Sequence, residues 1–291
     1  MTPRSYSPLR SVLYAPGANR RALDKARSLP SDGLILDLED AVAPDAKAVA
    51  RDTVVAALAE GGYGYRRRVV RINGLDTPWG EADITAMARA GADAILLPKV
   101  ESVQAVQAAV AALDAAGGPA DLPLWIMAET PRGILEIDAI AAAHPRLQVI
   151  VMGTSDLAKE LRVRHTPGRE GLLASLGRCV LAARARGVEI LDGVYLDLRD
   201  APGFAAACEQ GRDMGFDGKT LIHPKQIEPA NRAFGISAEA LQQARQIIAA
   251  WREAQQSGSG VCVVAGRLVE NLHVEEAERV VAMHEALYGR S

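Results

Sequence analysis

Eight short apolar runs, each bounded by glycine, proline or charge, recur along this chain of 291 residues. They are Val12–Ala15, Leu34–Leu38, Val69–Ile72, Ala94–Leu97, Leu124–Ala128, Val149–Met152, Val188–Leu191 and Thr220–Ile222. Between most of them lie alanine-rich stretches with helical spacing, for example Ser102–Ala115 and Gly171–Ala185, so strand and helix alternate. Nearly half the residues are hydrophobic and only 4% are aromatic. Ala, Val, Leu and Ile dominate, as they do in parallel sheets wrapped by helices. Eight strand–helix repeats predict an α/β fold of the (β/α)8 TIM-barrel type. An open doubly wound sheet shares much of this pattern. Its nucleotide-binding form carries a glycine-rich turn after the first strand, whereas that strand here runs into Pro16-Gly17-Ala18-Asn19.

The barrel is expected to be a catalytic domain over residues 1–230, with a C-terminal extension over residues 231–291. The extension holds an amphipathic helix at about Ala238–Gln256 and the flexible stretch Ser257-Gly258-Ser259-Gly260. After these come the apolar run Val261–Val264 and a last helix near Val274–Tyr288. Such a segment has its own apolar face to bury, and its hinge suits a lid that reaches across an active site or onto a neighbouring subunit.

A formal charge of −3 supplies no basic field for nucleic acid. Cys179, Cys208 and Cys262 are odd in number and lack paired metal-ligand spacing, which reads as reduced thiols. The N-terminus has no apolar core of signal-peptide length, and no segment approaches the ~18 uninterrupted apolar residues of a membrane span. A cytoplasmic protein is expected, with neither nucleic acid nor membrane as partner.

In a barrel the catalytic groups gather at the carboxyl ends of the strands. Two consecutive runs end in carboxylates, Glu129 after LWIMA and Asp156 after VIVMGTS. Two carboxylates are a usual protein contribution to Mg²⁺ or Mn²⁺, with water and substrate oxygens filling the other positions. The alternative is that one of them caps the helix that follows. Arg71 ends the third strand, where its fork suits a substrate carboxylate or an ion pair with Glu39 or Asp40. Lys99 invites a Schiff base, although Pro98 before it and Glu101 after it suit a turn with the lysine paired to an acid. His223 reads as a residue that fixes a loop. Arg20, Arg21 and Lys25 would open the first helix, where they suit phosphates or a plain solvated face.

Taken in order, these residues resemble the citrate lyase β-subunit-like (CitE-like) family of the HpcH/HpaI aldolase superfamily, which includes malyl-CoA and citramalyl-CoA lyases. The motifs are RSVLYAPG from Arg10, LILDLEDAV from Leu34, VVRING from Val69, ILLPKVES from Ile95, AETPRG from Ala128, GTSDLAKEL from Gly153 and GKTLIHPKQI from Gly218. The resemblance implies a barrel that assembles as a homotrimer or a multiple of one and uses Mg²⁺ to cleave or form a carbon–carbon bond β to a thioester. It implies Glu129 and Asp156 as metal ligands, and Arg71 as the group that binds the carboxylate of the 2-oxo acid. Glu39 and Asp40 would support Arg71 and the metal-bound waters, with Gly153 and Thr154 also at the substrate. Asn19, Arg20, Arg21 and Lys25 would lie near the CoA phosphates. In CoA-dependent relatives an aspartate from a neighbouring subunit's C-terminal segment acts as acid/base; here the matching position holds Glu270, one methylene longer.

The expected activity is cleavage of a CoA thioester such as malyl-CoA or citramalyl-CoA to acetyl-CoA plus glyoxylate or pyruvate. The alternatives are a citryl lyase subunit acting on an acyl-carrier-protein thioester, a malyl-CoA thioesterase, and a non-catalytic CoA-ester binding protein.

Overall fold

All eight apolar runs form strands in the computed structural model, which describes residues 8–258 and 260–289. Ser259 of the glycine-serine stretch and the first seven residues lie outside the described residues. The strands are β1 (Ser11–Pro16), β2 (Gly33–Asp37), β3 (Arg67–Arg71), β4 (Ala94–Leu97), β5 (Leu124–Ala128), β6 (Leu147–Met152), β7 (Glu189–Asp192) and β8 (Gly218–Leu221). Each pairs in parallel with the next, and β8 returns to β1 to close the barrel. Closure leaves no exposed edge among these strands, which an open doubly wound sheet would have.

Boundaries move by one or two residues from those expected. Leu38 and Ile222 fall just beyond β2 and β8, and β7 runs on to Asp192 because Asp192 pairs with Lys219.

Among the described residues ten α-helices accompany the barrel: α1 (Arg20–Ala26), α2 (Lys47–Glu60), α3 (Gly80–Met87), α4 (Val103–Ala115), α5 (Pro131–Leu135), α6 (Ile137–Ala141), α7 (Thr154–Leu161), α8 (Leu173–Arg186), α9 (Ala201–Asp213) and α10 (Ile227–Ala233). The strands are buried on both faces, so the core has two layers. Val12, Ile35, Val69, Leu96, Trp125, Val151 and Leu191 fill the barrel interior. Leu34, Leu36, Ile95, Ile126 and Ile190 pack outward against helix residues such as Val54, Val106 and Leu176. Side chains thus alternate between the layers with the period of two that a strand imposes.

The chain divides into two compact units that part between Phe234 and Gly235. The first unit, Leu9–Phe234, includes α10, which is anchored to the barrel: Asn231 accepts a hydrogen bond from Ser11 Oγ at 2.7 Å. The second unit packs α11 (Ala238–Gln256) against α12 (Asn271–Tyr288), with the hairpin β9 (Cys262–Val264) and β10 (Arg267–Val269) between them in sequence. Its small core is Trp251, Val269 and Val274. The hairpin turns at Ala265-Gly266, both at positive φ. Two consecutive residues in that region match the twist of a tight hairpin. No described helix is long and apolar enough to cross a membrane.

Candidate active site

Strand parity decides which polar side chains enter the barrel mouth. Val12 faces the interior, and so does Tyr14; Ile35 leads to Asp37, Val69 to Arg71, and Trp125 and Met127 to Glu129. Tyr14, Asp37, Arg71, Met127 and Glu129 line a cavity of about 340 Å³ at the carboxyl ends of the strands, with Gly153, Thr154 and Asp156 in its wall. A larger groove of about 650 Å³ adjoins it and shares Asp40 with it; Glu39 and Lys99 stand on the groove side.

Glu129 follows β5 and is nearly fully buried. It does not cap the next helix: the Thr130 hydroxyl accepts from Gly133 N at 3.1 Å and performs that role for α5. Its Oε1 accepts from the Lys99 backbone N–H at 2.8 Å. Asp156 lies in the first turn of α7, where a carboxylate also favours the positive end of the helix dipole. Gly153 lets β6 approach, since a Cβ there would overlap Cβ and Oε2 of Glu129.

The Arg71 guanidinium is held on three sides. Its Nε and Nη2 donate to the two oxygens of Asp37 at 2.7 and 2.6 Å. Nη1 meets Glu39 Oε2 at 2.9 Å, and the Tyr14 ring lies 5.0 Å from the guanidinium carbon. Burial works against the cation, but the surrounding charges, Asp37 and Glu39 among them, outweigh it and hold its pKa well above the usual value. Arginine has five N–H donors and three are committed here, which leaves one on each terminal nitrogen for a ligand.

Arg71 makes the ion pair expected with Glu39 and keeps donors that could serve a carboxylate. Its principal partner is Asp37, which the sequence reading passed over in favour of Glu39 and Asp40. Asp40 is 3.7 Å away and exposed.

Lys99 Nζ donates to Glu39 Oε1 at 2.7 Å. Burial lowers its pKa, but the bond to Glu39 and the charges of Asp40 and Glu129 raise it further, so the net shift is upward. A Schiff-base lysine needs the opposite shift. Lys47, another residue the sequence reading did not use, is buried with Nζ on the carbonyls of Leu38 and Glu39 at 2.9 and 2.8 Å. With Asn73 Nδ2 on Leu38 O at 2.9 Å, it pins the loop that carries Glu39. Parity along the strands was the signal that could have found Tyr14 and Asp37; the lysine contacts depend on loops and carry no such signal.

Around the two openings, Asp37, Glu39, Asp40, Glu129 and Asp156 face only Arg71, Lys99 and Lys47 as cations. Burial, then the negative charges of Glu39 and Asp156, push the Glu129 pKa up to about 7 against the Lys99 amide and Arg71. Those five carboxylates against three cations leave a shortage of positive charge around the openings. An all-oxygen donor set with that shortage fits a hard divalent cation. No group of three or more His, Cys, Asp or Glu side chains among the described residues is arranged around one metal position. Glu129 and Asp156, which line the same cavity, are the carboxylates that could hold such an ion.

The remaining candidates of the barrel are not among the residues that line this cavity. Asn19 caps α1 through Ala22 N at 3.1 Å. Arg20 is paired with Asp24 at 3.0 Å and with Glu60, while Arg21 and Lys25 are exposed. Glu270 belongs to the second unit and caps α12 in a reciprocal arrangement with His273. His223 Nδ1 accepts from Lys225 N at 3.1 Å, which fixes the loop after β8. Asp192 is buried and paired with Lys219 and Arg169, away from the cavity lining.

Comparison with known proteins identifies the family. The family model described as HpcH/HpaI aldolase/citrate lyase matches residues 10–224. The chain is 53% identical over 280 residues to a (3S)-malyl-CoA thioesterase of Cereibacter sphaeroides (strain KD131), covering 96% of each protein. It is 34% identical to the citrate lyase subunit beta of Escherichia coli (strain K12), over 95% of this chain and 93% of that one. Among solved structures, CitE from Mycobacterium tuberculosis in complex with magnesium, acetoacetate and coenzyme A is 30% identical, with a TM-score of 0.75 over 97% of this chain and 98% of that one. A closed eight-stranded barrel, its paired strand-end carboxylates and a match spanning the whole barrel lead to one assignment: the chain belongs to the HpcH/HpaI aldolase/citrate lyase family.

Proposed function

We propose that this protein is a Mg²⁺-dependent enzyme acting on malyl-CoA-class thioesters, with release of free CoA as its net reaction. The observation that carries the reading is the pairing of Glu129 and Asp156 in one cavity with an arginine that keeps two N–H donors free. The choice of hydrolysis rests on the (3S)-malyl-CoA thioesterase, identical at 53% of positions.

Glu129 and Asp156 would hold Mg²⁺, which when bound polarises the substrate oxygens it touches. Arg71 orients the substrate through its carboxylate, and Asp37 and Tyr14 hold Arg71 still. Gly153 and Thr154 form the wall beside Glu129, and Met127, Met152 and Val194 exclude water from the inner side. Glu39 and Asp40 stand at the rim. Glu270, brought by the C-terminal unit of a neighbouring copy in a trimer or a multiple of one, is the proposed acid/base, and Asn19, Arg20, Arg21 and Lys25 the proposed contacts of the CoA phosphates. Arg20 would have to leave Asp24 and Glu60 to serve there.

The second reading is carbon–carbon cleavage to acetyl-CoA and a 2-oxo acid. It is supported by the 34% identity to a citrate lyase subunit and by a carboxylate-binding arginine beside the metal ligands. Incubation of the purified protein with malyl-CoA and citramalyl-CoA, with Mg²⁺ or EDTA, separates the two. Free CoA without acetyl-CoA supports the thioesterase, and acetyl-CoA with glyoxylate or pyruvate supports the lyase. Turnover that survives EDTA removes the metal from both.

Glu129→Ala is expected to lower turnover by about 10²-fold or more while the barrel stays folded by circular dichroism. A variant that keeps most of its activity would remove Glu129 from the metal site.

A further inference from the structure

Lys99 has a φ of 50°, a left-handed conformation that lysine seldom adopts. The angle φ sets the direction of Cβ relative to the residue's own N–H. At Lys99 it aims the amide at one group and the side chain at another. The amide donates to Glu129 Oε1 at 2.8 Å, and Nζ donates to Glu39 Oε1 at 2.7 Å. The other oxygen of Glu39 meets Arg71 Nη1 at 2.9 Å. One residue thus stands between the metal-binding half of the cavity and the half that grips a carboxylate.

We propose that Lys99 is a positioning residue with two separable functions: its amide sets Glu129 for the cation, and its ammonium, by engaging Glu39, keeps the charge of Arg71 available to a substrate carboxylate. This rests on the reading of Glu129 as a metal ligand and Arg71 as the carboxylate binder. Without the ammonium, Glu39 has Arg71 as its remaining close cation and draws it inward. Without the left-handed turn, Glu129 loses its one backbone donor.

The functions separate by substitution, because glycine and asparagine accept the left-handed region whereas a β-branched residue resists it. Mn²⁺ binding is measured by electron paramagnetic resonance, and L-malate binding in the presence of Mg²⁺ by calorimetry. Lys99→Gly and Lys99→Asn keep the amide in place, so Mn²⁺ affinity is expected to stay within about threefold of wild type while malate affinity falls roughly tenfold. KM rises more than kcat falls. Lys99→Val disturbs the amide as well, and its Mn²⁺ affinity is expected to drop 10- to 100-fold, roughly the loss typical of a metal's supporting contacts. Lys99→Arg restores the cation and recovers malate binding relative to Lys99→Gly.

Equal Mn²⁺ affinity in folded Lys99→Gly and Lys99→Val overturns the amide function. Unchanged malate binding in Lys99→Gly, or no recovery in Lys99→Arg, overturns the ammonium function. If Lys99→Val does not fold, Lys99→Thr, also β-branched, takes its place against Lys99→Gly for the amide function, and Lys99→Gly against Lys99→Arg still decides the ammonium function. A wild-type protein that binds no Mn²⁺ fails at the proposed function instead, and takes this inference with it.

Discussion

Arg71 shows how a side chain can be held as an ion-pair partner and still keep donors that could serve a ligand. Its Nε–Nη2 edge is closed by Asp37, and only the terminal edge is left to face a ligand. Asp37 also accepts the backbone N–H of Glu39 at 3.0 Å and of Ala41 at 3.2 Å, so the same carboxylate holds the loop beyond β2. Asp37→Asn is therefore expected to lower unfolding free energy by about 3 kcal/mol in urea denaturation, because it leaves a buried guanidinium short of its counter-charge. KM should rise with it. A loss below about 1 kcal/mol would show that Glu39 alone satisfies Arg71. At this scale the residue types were legible: Glu129, Asp156 and Arg71 could all be named because strand ends are where a barrel keeps its chemistry. Glu39 could be named as a partner of Arg71, but Asp37, its principal partner, could not, since the two acids stand two residues apart and differ only in where the strand stops.

At the scale of elements, alternation along the strands explains which of these residues meet. Tyr14, Asp37, Arg71, Glu129 and Gly153 all continue the inward-facing positions of their strands or of the extended residues just beyond them. A shift of one residue would turn each toward the helices. Gly153 carries the tightest constraint among them, because β6 passes so close to Glu129 that a methyl group would occupy its space. Gly153→Ala is expected to destabilise the fold by on the order of 1–3 kcal/mol and to depress Mg²⁺-dependent turnover, as thermal melts and initial rates would measure. A variant with normal activity would show that Glu129 can move aside without effect. The strands and long helices were readable from apolar runs. The second hairpin strand, Arg267–Val269, was missed because three residues after Ala265-Gly266 carry too short a pattern to register.

Across the whole molecule, closure of the barrel turns residues from seven separate stretches of chain into one cavity. The negative charge gathered there opposes folding until a cation offsets it, so the metal should stabilise the folded state by mass action. At a hundredfold excess over Kd, Mg²⁺ is expected to raise Tm by about 5–10 °C, measured by calorimetry with EDTA as the reference. Glu129→Ala should abolish that increase, and an unchanged wild-type Tm would count against a site in this cavity. The sequence by itself determined the eight repeats, the family resemblance and the carboxylate pair, because these depend on residue type and local spacing. Only the tertiary structure decided that Asp37 claims the fork of Arg71, that Thr130 frees Glu129 from capping, and that Lys99 bridges Glu129 and Glu39. Those contacts join side chains 30 to 60 positions apart as well as near neighbours. They depend on register, on φ at a single turn and on distances of a few tenths of an ångström, none of which a pattern of residue types encodes.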